Sequence, residues 1–167
     1  MKVLAIRGRN LASLGEFNVD FTQEPLASAG LFAITGATGA GTSTLLDALF
    51  LALYNKTPRL AHVSNQAGNL ADVGEHTLGI HETKNILRRG AIDGFAEVDF
   101  VGNDGQDYRA KWSVRRAHNR STGAVQGEVL SLHHLPDLNP IGHKKTEVLA
   151  AIEEKIGLAF TEFNRAV

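Results

Sequence analysis

The stretch from Leu31 to Pro58, LFAITGATGAGTSTLLDALFLALYNKTP, decides how the chain is read. An apolar run, Leu31, Phe32, Ala33 and Ile34, leads into Gly36-Ala37-Thr38-Gly39-Ala40-Gly41 and then into the strongly apolar segment Leu45 to Tyr54. That order reads as buried strand, glycine loop and helix. It is the setting in which the pattern GxxxxGK followed by Ser or Thr binds phosphate, because successive backbone N–H groups and the helix N-terminus converge on an anion. Glycines permit positive φ and let the backbone approach the phosphate oxygens.

One position departs from the pattern. Thr42 stands where the lysine that spans the β- and γ-phosphates is required, while Ser43 keeps the hydroxyl suited to magnesium. The candidate phosphate-binding residues are Gly36, Ala37, Thr38, Gly39, Ala40, Gly41, Thr42, Ser43 and Thr44. The same residues admit a plainer reading, a glycine-rich turn between a core strand and a core helix.

The 167 residues are 43% hydrophobic and 21% charged, a balance that suits one globular domain or part of a larger one and excludes a disordered chain. Seventeen Lys and Arg face 18 Asp and Glu, a net charge of −1, so a nucleic-acid partner would have to be met by a local patch. The absence of cysteine removes disulfides, thiolate metal sites and cysteine nucleophiles together. The N-terminal MKVLAIRGRN is too short in its apolar run for a signal peptide, and Leu45 to Tyr54 falls short of the ~20 residues that cross a bilayer. A cytoplasmic protein without a membrane partner is expected.

Strands are expected at Met1 to Arg9 and Glu16 to Phe21, joined by a turn near Asn10 to Gly15. The helix after the glycine loop should stop near Asn55, since Pro58 disfavours helical geometry at Thr57. From Leu60 to Lys84 periodicity is weak, and a mobile loop is expected. Ala96, Val98 and Phe100 then alternate with Glu97 and Asp99, and Tyr108, Ala110, Trp112 and Val114 alternate with Arg109, Lys111, Ser113 and Arg115. Matching the apolar faces puts Phe100 opposite Tyr108, Asp99 opposite Arg109 and Glu97 opposite Lys111, with Gly105 left-handed in the turn. A third strand is expected from about Gly127 to His134, and an amphipathic helix from about Lys144 to Ile156, stopped by Gly157.

Three stretches carry a resemblance: FAITGATGAGTSTLLDALFLALYNKTPRL, then YRAKWSVRRA with Gly123 and Gln126 after it, and KKTEVLAAIEEKIGLAFTEFNRAV. Together they resemble the N-terminal lobe of the SbcC family, the ATPase subunit of the SbcCD nuclease, related to SMC proteins within the ABC-type ATPases. The resemblance runs over nearly the whole chain. It implies an α/β fold, a P-loop NTPase lobe of ABC-ATPase type with mixed β-sheets around the P-loop helix, residues 1–167 forming a partial domain that ends before the glutamine loop. It also implies ATP and Mg2+ as cofactors, with Ser43 as the magnesium ligand through the nucleotide, and Asn10 and Ser13 in the loop that approaches the nucleotide. Implied partners are double-stranded DNA ends, a metal-dependent nuclease subunit, and a second copy in a head-to-head homodimer of the full-length protein.

The chain departs from that family in Thr42 and in lacking a Walker B strand of the hhhhD type, for Phe95 to Asp99 alternates through Glu97. Signature motif, coiled coil and zinc hook are absent as well. The expectation is therefore half of a composite ATP site, with weak ATP binding and without meaningful turnover. Arg115, Arg116 and Arg120, within a wider basic set of Arg88, Arg89, Arg109 and Lys111, are the candidates for DNA-backbone contact, against a reading in which they are a solvated, acid-paired strand face. His81-Glu82 begins an HExxH pattern that Asn85 breaks, and His133 and His134 should face opposite ways, so no metal site is expected. Trp112 and Tyr108 read as core. Two functional classes remain: the ATP-binding lobe of a DNA-repair ATPase, and a degenerate P-loop module that folds and associates without nucleotide. A small-molecule kinase is disfavoured by the absence of a basic lid segment.

Overall fold

A computed structural model describes residues 1–60 and 68–166. Its main sheet has five strands in the order β2-β1-β5-β6-β7, formed by β1 (Lys2–Leu11), β2 (Leu14–Asp20), β5 (Asp93–Val101), β6 (Asp107–Arg115) and β7 (Val129–His134). Every pairing in it is antiparallel. A separate hairpin joins β3 (Asn69–Ala71) to β4 (Thr77–Gly79). The helices are α1 (Thr42–Tyr54), α2 (Lys145–Ile156) and α3 (Phe160–Ala166).

Period-two alternation sets the sheet. Ala96, Val98 and Phe100 of β5 and Tyr108, Ala110, Trp112 and Val114 of β6 are buried on one face, and Phe100 pairs with Tyr108, Asp99 with Arg109 and Glu97 with Lys111, the register the apolar pattern requires. Gly105, at φ 76°, turns the hairpin. The opposite face carries Arg7, Glu97, Asp99, Arg109 and Lys111 in one charge lattice: Arg109 Nε donates to Asp99 at 2.7 Å, Arg7 reaches Asp99 at 2.9 Å and Glu97 at 3.2 Å, and Lys111 lies 3.5 Å from Glu97.

Helix α1 lies across the apolar face. Ala48 through Tyr54 are all buried, as an all-round apolar helix must be. Phe50 and Tyr54 meet Phe160 and Phe163 of α3 in edge-on and tilted ring contacts at 5.4–5.8 Å. Val148, Ile152 and Ile156 form the buried stripe of α2, with Leu149 partly covered, and Gly157 closes that helix at φ 74°.

Asn55 ends α1 in the left-handed region, its N–H donating to Leu51 O at 3.0 Å. Its side chain then bonds three residues. Oδ1 accepts from Trp112 Nε1 at 2.8 Å and from Thr83 Oγ1 at 3.2 Å, and Nδ2 donates to Glu128 Oε1 at 3.1 Å, which Lys145 of α2 also contacts. Buried Trp112 therefore has its one polar atom satisfied within the core.

Three expectations are corrected. Leu31 to Ile34 is not a buried strand: it is irregular, and Leu31, Phe32 and Ile34 are 92%, 45% and 48% exposed. Apolar composition marked it for burial, but among the described residues no strand lies alongside to pair with it, and only Phe32 finds a partner, stacking on Phe21 at 5.0 Å. The segment read as one loop from Leu60 to Lys84 contains the β3–β4 hairpin, whose three-residue strands are too short to register as alternation; residues 61–67 of that loop lie outside the described residues. Arg116 is not a surface residue. It is 1% exposed, its guanidinium paired bidentately with Asp72 at 2.6 and 2.8 Å and donating to Ala91 O and Gly123 O.

The Arg116 pair ties the β3–β4 hairpin to the sheet, and its hydrogen bonds hold the Asp72 carboxyl below the usual aspartate range. The unfolded chain then binds the proton more readily, so this stabilisation is present above the ordinary aspartate value of ~3.9 and drains away as pH falls through the lower folded value. Arg116→Met, which strands a buried carboxylate, should cost about 3–5 kcal/mol. Urea unfolding at neutral pH measures the loss, and Asp72→Asn should flatten the stability profile below pH ~4 relative to the parent.

Candidate nucleotide-binding site

The glycine loop runs from the exposed Leu31–Ile34 segment into the first turn of α1. Ala40 N–H donates to Ala37 O at 2.9 Å, closing a tight turn, and Gly39 and Gly41 take φ of 86° and 95°. Gly41 is required twice over, because a Cβ there would also stand 2.4 Å from Leu14 Cδ2. The first helical bonds run from Thr44 and Leu45 N–H to Gly41 O at 2.9 and 3.0 Å.

Among the described residues, the amides of Gly39, Gly41, Thr42 and Ser43 donate to no backbone or side-chain acceptor. They are orphan donors at the positive end of a 13-residue helix, with no acidic side chain in its first turn. Such a cup is electropositive without any formal charge. No side-chain cation from residues 31–44 adds to it, since they contain no Lys or Arg. The Ser43 hydroxyl is exposed at the rim, Thr44 is buried beneath it, and a largely apolar hollow of about 570 Å³ opens beside Thr42 and Ser43, walled by Leu31, Phe32, Ile34 and Leu46.

The β1–β2 turn stands against this loop. Leu14 occupies the space that a side chain on Gly41 would need, and the exposed Ser13 precedes it in the turn. Asn10, by contrast, is turned aside: its Nδ2 donates to Asp93 O at 2.9 Å. The turn is tighter than the Asn10 to Gly15 expected, with only Ala12 and Ser13 between the strands.

One charged residue near the cup escaped the sequence reading. Asp47, a turn beyond Ser43, is buried and contacts the half-exposed Arg59; burial pushes its carboxyl up, and Arg59 opposes that shift. A single carboxylate inside the apolar run Leu45 to Tyr54 was the available signal. Asp99, the end of the nearest approach to a Walker B strand, is engaged elsewhere: burial acts to raise its pKa, but Arg109 and Arg7 outweigh it and hold the carboxyl low and ionised.

The three arginines proposed for DNA do not form a patch. Arg115 is exposed at the end of β6, opposite Asp93 in register, and Arg120 is exposed beyond it, whereas Arg116 points into the protein. His133 pairs opposite Arg109 and His134 opposite Tyr108, on alternate faces of β7, with His134 Nδ1 3.0 Å from Asp137.

A glycine loop opening a buried helix, beside an antiparallel sheet, defines part of a P-loop NTPase lobe. The family model described as AAA domain matches residues 5–153, and the chain belongs to that family. Its similarity to curated proteins is specific. The SbcC subunit of nuclease SbcCD from Pseudomonas aeruginosa is 52% identical over the whole chain, that of Rhodobacter capsulatus 42%, and that of Bacillus subtilis 32%. The chain spans 14% of the length of the first two relatives and 13% of the third.

Gly41→Ala should destabilise the protein by about 1–3 kcal/mol, through its positive φ and its clash with Leu14. Adding Leu14→Ala should relieve the steric part only, so that thermal unfolding of the double variant shows less than the summed loss.

Proposed function

We propose that the chain is the ATP-binding N-terminal lobe of the ATPase subunit of a nuclease complex that processes DNA double-strand ends, and that Thr42 leaves it a weak binder unable to turn ATP over. The observation that carries this reading is the set of open amides at Gly39, Gly41, Thr42 and Ser43, in a chain 52% identical to an SbcC subunit of nuclease SbcCD. In this reading the triphosphate lies on the amides, Ser43 supplies the hydroxyl for Mg2+, and Ser13 flanks the nucleotide. Exposed Leu31, Phe32 and Ile34 form the edge against which the remaining length of such an ATPase packs. The metal-dependent nuclease subunit and a second head join at surfaces that this lobe shares with the rest of the protein.

The missing lysine sets the magnitude. A charge-assisted hydrogen bond contributes about 1.5–3 kcal/mol, so its loss weakens nucleotide binding roughly ten- to a hundredfold. Turnover suffers more, because the same cation stabilises charge that develops on the phosphoryl group. Calorimetric titration with MgATP should give weak binding for the parent chain and an affinity at least about tenfold tighter for Thr42→Lys. Equal affinities would count against a phosphate site. A melting temperature unmoved by MgATP in both proteins would favour the second reading, a degenerate module without nucleotide, for which the absence of any cation from residues 31–44 speaks.

DNA contact is proposed for Arg115 and Arg120 alone. In a full-length protein, Arg115→Ala with Arg120→Ala should lower DNA affinity and reduce the salt slope by about one to two units. An unchanged slope, measured by binding at several salt concentrations, would leave these arginines as a solvated face.

A further inference from the structure

The turn beside the phosphate loop holds an unfavourable backbone. Asn10 and Ala12, neither of them glycine, sit at φ 55° and 46°. Such residues keep a left-handed conformation only where the surroundings enforce it, and they gather where a geometry has a use. Here the enforcement comes from a segment more than seventy positions away in sequence. Ala12 N–H donates to Ile86 O at 2.7 Å, Arg88 N–H donates to Asn10 O at 2.9 Å, and Leu11 bridges to Leu87.

Those bonds grip the base of the turn. At its tip the Arg88 guanidinium donates to Ser13 O at 3.1 Å, the one side-chain hydrogen bond to the tip among the described residues. The next residue, Leu14, fills the space beside Gly41. Contact therefore runs unbroken from Arg88 through the Ser13 tip and Leu14 to the loop whose amides stand open.

We propose that Arg88 is a positioning residue that holds the Ala12–Ser13 tip as a side wall of the cup, and that this wall meets the nucleoside end of a nucleoside triphosphate. The proposal rests on the nucleotide reading of the loop. A triphosphate seated on the amides of Gly39 to Ser43 leaves its ribose and base to lie against whatever flanks Gly41, and the flank is this turn. Arg88 does not touch the phosphates in this arrangement. Its contribution is to keep the tip in place, so it discriminates a nucleotide from a bare polyphosphate chain.

The test is made in the Thr42→Lys background, where binding is strong enough to read. Arg88→Ala should weaken MgATP about tenfold while leaving magnesium tripolyphosphate within about twofold. Arg88→Lys, which can still donate to Ser13 O, should recover most of the loss. Equal losses for the two ligands would overturn the proposal in favour of a direct phosphate contact or a general loss of fold, and no loss for either would overturn it outright. Hydrogen exchange of the amides from Ala12 to Gly15, without nucleotide, supplies a separate readout that should quicken in Arg88→Ala, and unchanged exchange would show that Arg88 does not hold the tip. Failure of the Thr42→Lys parent to bind MgATP would sink the nucleotide reading instead, and the exchange data would still decide whether Arg88 restrains the turn.

Discussion

Burial of α1 on all sides is the constraint on which the rest depends. A helix apolar around its whole circumference loses its stabilisation if any face is left in water, so the sheet, α2 and α3 are arranged to enclose it. Its C-terminal end is fixed in direction as well as depth, because Asn55 bonds Trp112, Thr83 and Glu128 at once. The N-terminal end is the one part of the helix left open, and the unpaired amides of the loop are held there by everything packed around the helix behind them.

On the outer face of the sheet, charge is distributed in a way that composition does not reveal. The outer face of the sheet looks basic along β6 alone, yet Asp99 and Glu97 of β5 neutralise Arg7, Arg109 and Lys111 strand by strand, and Asp93 takes Arg9 at 2.8 and 2.9 Å. These pairs are partly exposed and each contributes modestly, but together they remove most of a continuous positive field. Arg116 goes further and leaves the surface altogether for Asp72. Among the described residues, Arg115 at a strand end and Arg120 after it have no acidic partner.

Local regularities account for what was legible. The β5–β6 register, the left-handed Gly105, the end of α1 at Asn55 and the Gly157 stop of α2 all follow from patterns within about twenty residues, where steric preference and alternation act directly. Leu31 to Ile34 was misread because apolarity records that a segment is to be covered and does not identify the cover. Arg116 was misread for a related reason: a formal charge is visible in a residue name, but its partner is chosen by the fold, 44 positions away for Arg116 and 75 for the Arg88 contact with Ser13.

Loop and helix could be recognised from spacing, since glycines, the hydroxyl of Ser43 and an apolar helix act through the backbone of a single short stretch, whereas the family came from a resemblance over nearly the whole chain. The absence of a cation at Thr42 was equally plain. Three-dimensional packing was needed to establish that the amides of Gly39, Gly41, Thr42 and Ser43 lack acceptors among the described residues, that Leu14 stands against Gly41, and that a distant arginine grips the turn carrying it. Backbone conformation is governed by neighbours along the chain, whereas hydrogen-bond partners and side walls are supplied by whichever segments burial of α1 happens to bring together.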